Sequence, residues 1–209
     1  MGSRIMQLVI GNRIAECLSV DEKDRTPFLV GSVAPDAVFS FEEKNLSHFF
    51  VGEIQDYSRH ADINGFLRKY SLLVKNKDPY ILGYFAHLVA DDIWLRGFYF
   101  SWLRNRMDAD EGLYQLYHND FWLLNGKLLD YYGFTEKLRK KLNHFPSIVD
   151  LEELKSEDVE KFIPYVLSDM EYDQEVLKEK LNVFTFNQIL GYVETSVDMG
   201  IKNIKRIFS

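Results

Sequence analysis

Apolar residues run almost without interruption through the segment DPYILGYFAHLVADDIW, positions 78–94. Asp78 followed by Pro79 predicts a helix start, because Asp caps the first turn and Pro is best tolerated at the first helical position. A helix that is apolar on every side belongs in a core rather than on a surface. His87, Asp91 and Asp92 are set into this cylinder. At 3.6 residues per turn, His87 and Asp91 share one face and Asp92 points away.

The rest of the pattern is also helical. Residues 5–18 carry the stripe Ile10, Ile14, Cys17 and Leu18, with Gln7 and Gly11 on the same face. Asp21 to Asp24 reads as a charged turn. Residues 28–41 form a tight irregular segment around Gly31 and Pro35, and 28–33 and 37–41 are the only candidates for short strands. A polar loop at 42–45 leads into a helix over 46–57, and Asp62 caps another over 63–74. His60 falls in the connection between these two. The central helix reaches about position 95, or as far as 102. Leu113 to Tyr132 has the stripe Leu113, Leu116, Tyr117, Asp120, Leu124, Leu128 and Tyr131, closed by Gly133. Charged segments at 135–142, 151–167 and 173–181 read as surface helices or loops, punctuated by Pro146 and Pro164. The last helix, 186–208, has the stripe Ile189, Tyr192, Val193, Ser196, Val197, Gly200 and Ile204, with Glu194 to one side. The class is all-α: an irregular bundle of about eight helices, in one domain over 1–209. Residues 1–132 carry the chemistry and 133–209 complete the bundle.

Composition narrows the function. The 209 residues are 46% hydrophobic and 27% charged, enough for a sizeable core and unlike a disordered chain. A net charge of −7 argues against a nucleic-acid surface. Cys17 is the only cysteine, which excludes an intrachain disulfide and a Cys-based zinc site. The short, interrupted apolar part of the N-terminus does not read as a secretory signal, and no run reaches a membrane span, so the expected compartment is cytoplasmic.

Five polar positions interrupt surfaces that otherwise read as buried: Gln7, Asp36, His48, the His87–Asp91 pair and Asp120. Each alone suits a hydrogen-bonded core residue or a cap. Together, carboxylates and imidazoles directed inward from several helices are how bundles build metal sites. Two histidines and three carboxylates suffice for one or two divalent ions.

The runs GSVAPD (31–36), KNLSHF (44–49) and GYFAHLVADDIW (83–94) resemble the zinc-dependent phospholipase C-like superfamily. With YHNDFWLLN (117–125) the chain is most similar to small bacterial hydrolase-like members, over roughly residues 1–132. The resemblance implies a bundle of the phospholipase C/P1 nuclease-like type. It implies His48, His87 and Asp91 as zinc ligands, and Asp36 as a ligand and catalytic base. Asp120 stands for the family's later ligand helix, which normally supplies a His and a Glu one turn apart. Gln7 falls where the family has a histidine, and the N-terminal tryptophan ligand is missing. One or two zinc ions are therefore expected, with Gln7 and His118 as supporting residues or weak ligands.

The implied activity is hydrolysis of a phosphodiester or phosphomonoester by a metal-activated water, with a small phosphoester or phospholipid-like substrate. The alternative is a non-catalytic binding protein with a degenerate or structural metal site. A helical phosphohydrolase of the HD type is disfavoured by the missing His-Asp dipeptide.

Overall fold

The computed structural model describes residues 2–209; Met1, the first position of the resemblance, lies outside the described residues. Of the chain, 69% is helix and 2% strand. The expected central helix is α6, Pro79–Trp94. Asp78 caps it, accepting from the Ile81 amide at 3.1 Å. Its side chains from Tyr80 to Asp91 are buried almost without exception.

The helices packed most extensively on α6 are α1 (Arg4–Cys17), α2 (Glu22–Gly31) and α11 (Phe186–Ile207). The stripe expected on α1 understates its burial. Lying between α2, α6, α8 (Leu113–Tyr132) and α11, it is buried on all sides from Ile5 to Asn12. The segment 21–31, read as a turn followed by a possible strand, is helix α2. Glu22 and Asp24 in its first turn suit the positive end of the helix dipole. What fixes α2 is a backbone contact with α6. A Cβ on Gly31 would lie 2.0 Å from the Tyr80 carbonyl oxygen, and one on Gly83 would lie 2.0 Å from that of Phe28. Only a pair of glycines lets two helices approach so closely.

The helix expected over 46–57 starts earlier and ends sooner, as α3 (Phe41–Ser47). Ser40 and Glu43 form a reciprocal capping box that turns the supposed polar loop into the first turn. The helix stops at His48, and Phe49 takes a left-handed φ of 51° before the short strand β1 (Phe50–Val51). β1 pairs antiparallel with β2 (His60–Ala61), in register Phe50 to Ala61. These strands lie outside the two segments expected to form them. Asp62 caps the next helix through the Gly65 amide as expected. The predicted 63–74 helix breaks at Tyr70 into α4 (Ile63–Lys69) and α5 (Ser71–Lys75). The Tyr70 ring packs on Phe49 and Phe66 at the break.

After α6 the chain winds more loosely, as a π-helix over Leu95–Leu103, before α7 (Arg104–Ala109). Trp94 sits at that junction among the rings of Phe98, Phe121, Phe184 and Tyr192. Helix α8 has the predicted bounds, and Gly133 closes it at φ 71°. Leu116 and Tyr131 of its expected stripe are exposed, while Leu123 and Leu129 are buried. α9 (Thr135–Leu142) and α10 (Ser156–Ser168) follow, then α11, whose seven predicted stripe residues are its buried ones. One continuous apolar core extends from Ile5 to Ile204. Among the described residues no helix is long and apolar enough to cross a membrane.

Candidate metal centre

Three chain segments meet beside α6, which itself supplies two of the groups. The 3-10 turn Ala34–Asp36, just after α2, brings Asp36. The end of α3 brings His48, α6 brings His87 and Asp91, and α1 brings Gln7. Local hydrogen bonds hold these segments in place. Ser47 Oγ donates to the Pro35 carbonyl at 2.8 Å, and the Tyr84 hydroxyl donates to the Ser47 carbonyl at 2.5 Å.

The two imidazoles have their tautomers set by their surroundings. His87 Nδ1–H donates to the Ser32 carbonyl at 2.9 Å, and His48 Nδ1–H to the Lys44 carbonyl at 3.0 Å. A carbonyl only accepts, so His87 Nδ1 carries the proton; His48 Nδ1 also lies 3.0 Å from Ser47 Oγ, whose own hydrogen goes to Pro35, which favours the same tautomer and leaves a lone pair on each Nε2. The two Nε2 atoms lie 3.3 Å apart. His48 Nε2 is 3.4 Å from Asp36 Oδ1 and 3.4 Å from Asp91 Oδ2. His87 Nε2 is 3.8 Å from the same Asp91 oxygen. Two imidazole nitrogens and two carboxylates this close together need positive charge nearby, and Lys44 supplies part of it.

These separations also carry a geometric signature. Ligand atoms at zinc bond lengths of about 2.0–2.1 Å around a tetrahedral ion lie roughly 3.3–3.4 Å from one another. Of the six edges of such a tetrahedron four are given above, and three of those fall in that range. Asp36, His48 and His87 each offer a donor atom within 4.8 Å of the others'. Imidazoles that donate their other N–H to a backbone carbonyl are typical metal ligands. Asp36, His48 and His87 could therefore hold a divalent ion, with Asp91 beside them.

Burial and charge act together here. His48, His87 and Asp91 have no exposed side-chain surface, and Asp36 keeps 10%. Burial lowers the His87 pKa from 6.5 to about 4, despite the opposing pull of Asp91 and Asp36, so the ring is neutral at pH 7 and free to ligate. For Asp36, burial by itself favours the acid form. The Lys44 ammonium and the His48 and His87 imidazoles outweigh it and hold the carboxyl well below its usual range. Asp91 is also lowered: burial opposes ionisation, and surrounding positive charge, the imidazoles included, prevails. Lys44 Nζ lies 3.3 Å from Asp36 Oδ1 and its pKa is raised, chiefly by that carboxylate. Burial and the nearby Arg4 guanidinium work against the rise.

Gln7 does not point away as a core amide satisfying backbone would. Its Nε2 donates to Asp91 Oδ1 at 2.8 Å, and its buried Oε1 has no hydrogen-bond partner among the described residues. Asp120, expected as a ligand, is committed elsewhere. It accepts from the backbone amides of Asn182, Val183 and Phe184 at 2.7, 2.7 and 3.1 Å, and from the Asn182 side chain at 3.2 Å. It fastens the segment before α11 to α8 and has no part in the centre. His118 is exposed and lies at the rim of a cleft, next to Tyr114 and Tyr117. His60 is likewise remote, bonded to the Ser58 carbonyl in β2.

That cleft, about 360 Å³, has Asp36 on its floor. Arg4, Lys44, Asn125, Trp122 and Asp169 are among its walls. Lys44 and Arg4 were not singled out from the sequence, and the capping box that places Lys44 on α3 was the available signal. A larger hollow of about 550 Å³ between α8 and the segment before α11 holds no comparable group of ligands.

A helical protein with a buried His-His-Asp-Asp cluster beneath an open cleft is the class that fold and site define. Compared with family models, with curated proteins and with solved structures, the chain matches none. The likeness to phospholipase C-like proteins rests on the short motifs alone.

Proposed function

We propose that the chain is a metal-dependent hydrolase of phosphoric esters, with one zinc ion held by His48, His87, Asp91 and Asp36 in a bundle of the phospholipase C/P1 nuclease-like type. The observation that carries this reading is the pair of Nε2 lone pairs 3.3 Å apart, flanked by two carboxylates. Four protein ligands would close a tetrahedral zinc, so catalysis would need a further position on the Asp36 side, where the ion would polarise a phosphoryl oxygen and lower the pKa of its water toward about 7. Around it, Ser32 and Lys44 carbonyls aim the imidazoles, and the Gln7 amide fixes Asp91. Asp36 stands at the boundary between the buried cluster and the cleft, where substrate and water arrive. A carboxyl held so far below its usual range is a weak proton acceptor, so Asp36 serves as ligand and hydrogen-bond acceptor rather than as the base.

Zinc titration of metal-free protein tests the centre. One tightly bound ion per chain is expected, lost in His87→Ala with helix content retained. Undiminished zinc binding in that variant rejects the ligand assignment. The loaded protein is then assayed against a panel of phosphoesters. A second reading is supported by the complete burial of His48, His87 and Asp91: a closed structural metal site that admits neither substrate nor water to the ion. Zinc binding without turnover of any phosphoester favours that non-catalytic protein.

A further inference from the structure

Lys44 occupies an unusual position. Its ammonium lies 3.3 Å from Asp36 Oδ1, the atom that also faces His48 Nε2, and it reaches there from α3 across the wall of the cleft. Its side chain stays 42% exposed, so the charge is available to a ligand. Across the same cleft Arg4 is held flat by Asp169, through Nε at 2.6 Å and Nη2 at 3.1 Å. A guanidinium has five N–H donors; this arrangement uses two and leaves three.

Counting charge shows what the cleft lacks. A divalent ion, if bound, would draw on the negative charge of Asp36 and Asp91, while Asp169 balances Arg4. The Lys44 ammonium is then surplus. The Lys44 ammonium and the guanidinium of Arg4, with three N–H groups that Asp169 does not use, line the cleft that Asp36 also lines, and a bound ion would add a further electrophile. A phosphodiester has two terminal oxygens sharing one negative charge. A phosphomonoester has three terminal oxygens and a charge of about −1.5 to −2 at neutral pH. Bidentate guanidinium and ammonium contacts both strengthen with the ligand's charge. A volume of about 360 Å³ suits a phosphate with a small organic group, and Trp122 offers that group an exposed ring at the cleft wall.

We propose that Lys44, with Arg4 opposite, is the anion anchor of the cleft and selects dianionic phosphomonoesters over diesters. This rests on the metal-centre reading above.

The test uses zinc-loaded full-length protein, with inorganic phosphate, phenyl phosphate and dimethyl phosphate titrated calorimetrically as probes. Phenyl phosphate is expected to bind about tenfold or more tightly than dimethyl phosphate. Lys44→Met should weaken inorganic phosphate binding by roughly tenfold or more, the usual size for a lost charge-assisted hydrogen bond. Lys44→Arg should retain most of the affinity, and both variants should keep the wild-type zinc stoichiometry. Phosphate affinity indifferent to Lys44→Met, or a preference of the wild type for dimethyl phosphate, overturns the anchor while leaving the metal centre standing. Failure of the wild type to bind zinc overturns both, and the zinc titration alone reports it.

Discussion

His87 takes up its proton near pH 4 in the folded protein, against 6.5 for the free side chain. Between those values the unfolded chain binds more protons, so metal-free protein loses stability as the pH falls from about 6.5 toward 4. The loss attributable to His87 is on the order of 3 kcal/mol. Asp36 and Asp91 act in a lower window: their depressed values preserve stability above the ordinary carboxylate pKa of 3.8 and release it only below. Urea titrations of metal-free protein from pH 7 to 4 should show the midpoint falling, and His87→Phe should flatten the upper part of that curve. A different role is expected of Asp120. Asp120→Ala strands three backbone amides that it now satisfies, and should cost roughly 3 kcal/mol with zinc stoichiometry unchanged. In the sequence Asp91 and Asp120 look alike, each a carboxylate interrupting an apolar helical stripe. Periodicity reports that a side chain faces inward. It is silent on whether the facing surface offers imidazoles or the open amides of a loop sixty residues away.

Two glycines make the α2–α6 contact, and Ser32 and Asp36 follow directly from the end of α2. Gly83→Ala would drive a methyl into the Phe28 carbonyl, a contact with no flexible side chain to yield. Destabilisation of about 3 kcal/mol is expected, with weakened zinc affinity because the Ser32 carbonyl would leave His87. Thermal melts and zinc titration of the same variant check both parts. At the other end of the scale, Thr185→Ala removes the capping box of α11 and should cost about 1 kcal/mol in a melt without touching the centre. The long helices α6, α8 and α11 were legible because their caps and stripes are strong and local. The segment 21–51 was not. There Gly31 reads equally as a loop residue or as half of a tight helix crossing, and its partner Gly83 is far away in the sequence.

Viewed as a whole, the molecule draws its candidate ligands from α3, α6 and the turn after α2, steadied by α1, so binding an ion would tie together segments from Gln7 to Asp91. An ion that binds only the folded chain stabilises it by about 4 kcal/mol at a thousandfold excess over its Kd. The melting temperature should therefore rise with zinc and fall on chelation, and in His87→Ala it should respond to neither. That these segments converge was foreseen only as an accumulation of inward polar residues; their meeting point is set by the crossing of α2 on α6. The depth of the cluster also has a kinetic side. With His48, His87 and Asp91 wholly enclosed and only Asp36 reaching the cleft, a bound ion would be shielded from solvent on most sides. Its release should wait on a local opening of the site, so stripping by an excess of chelator should proceed at a rate independent of chelator concentration.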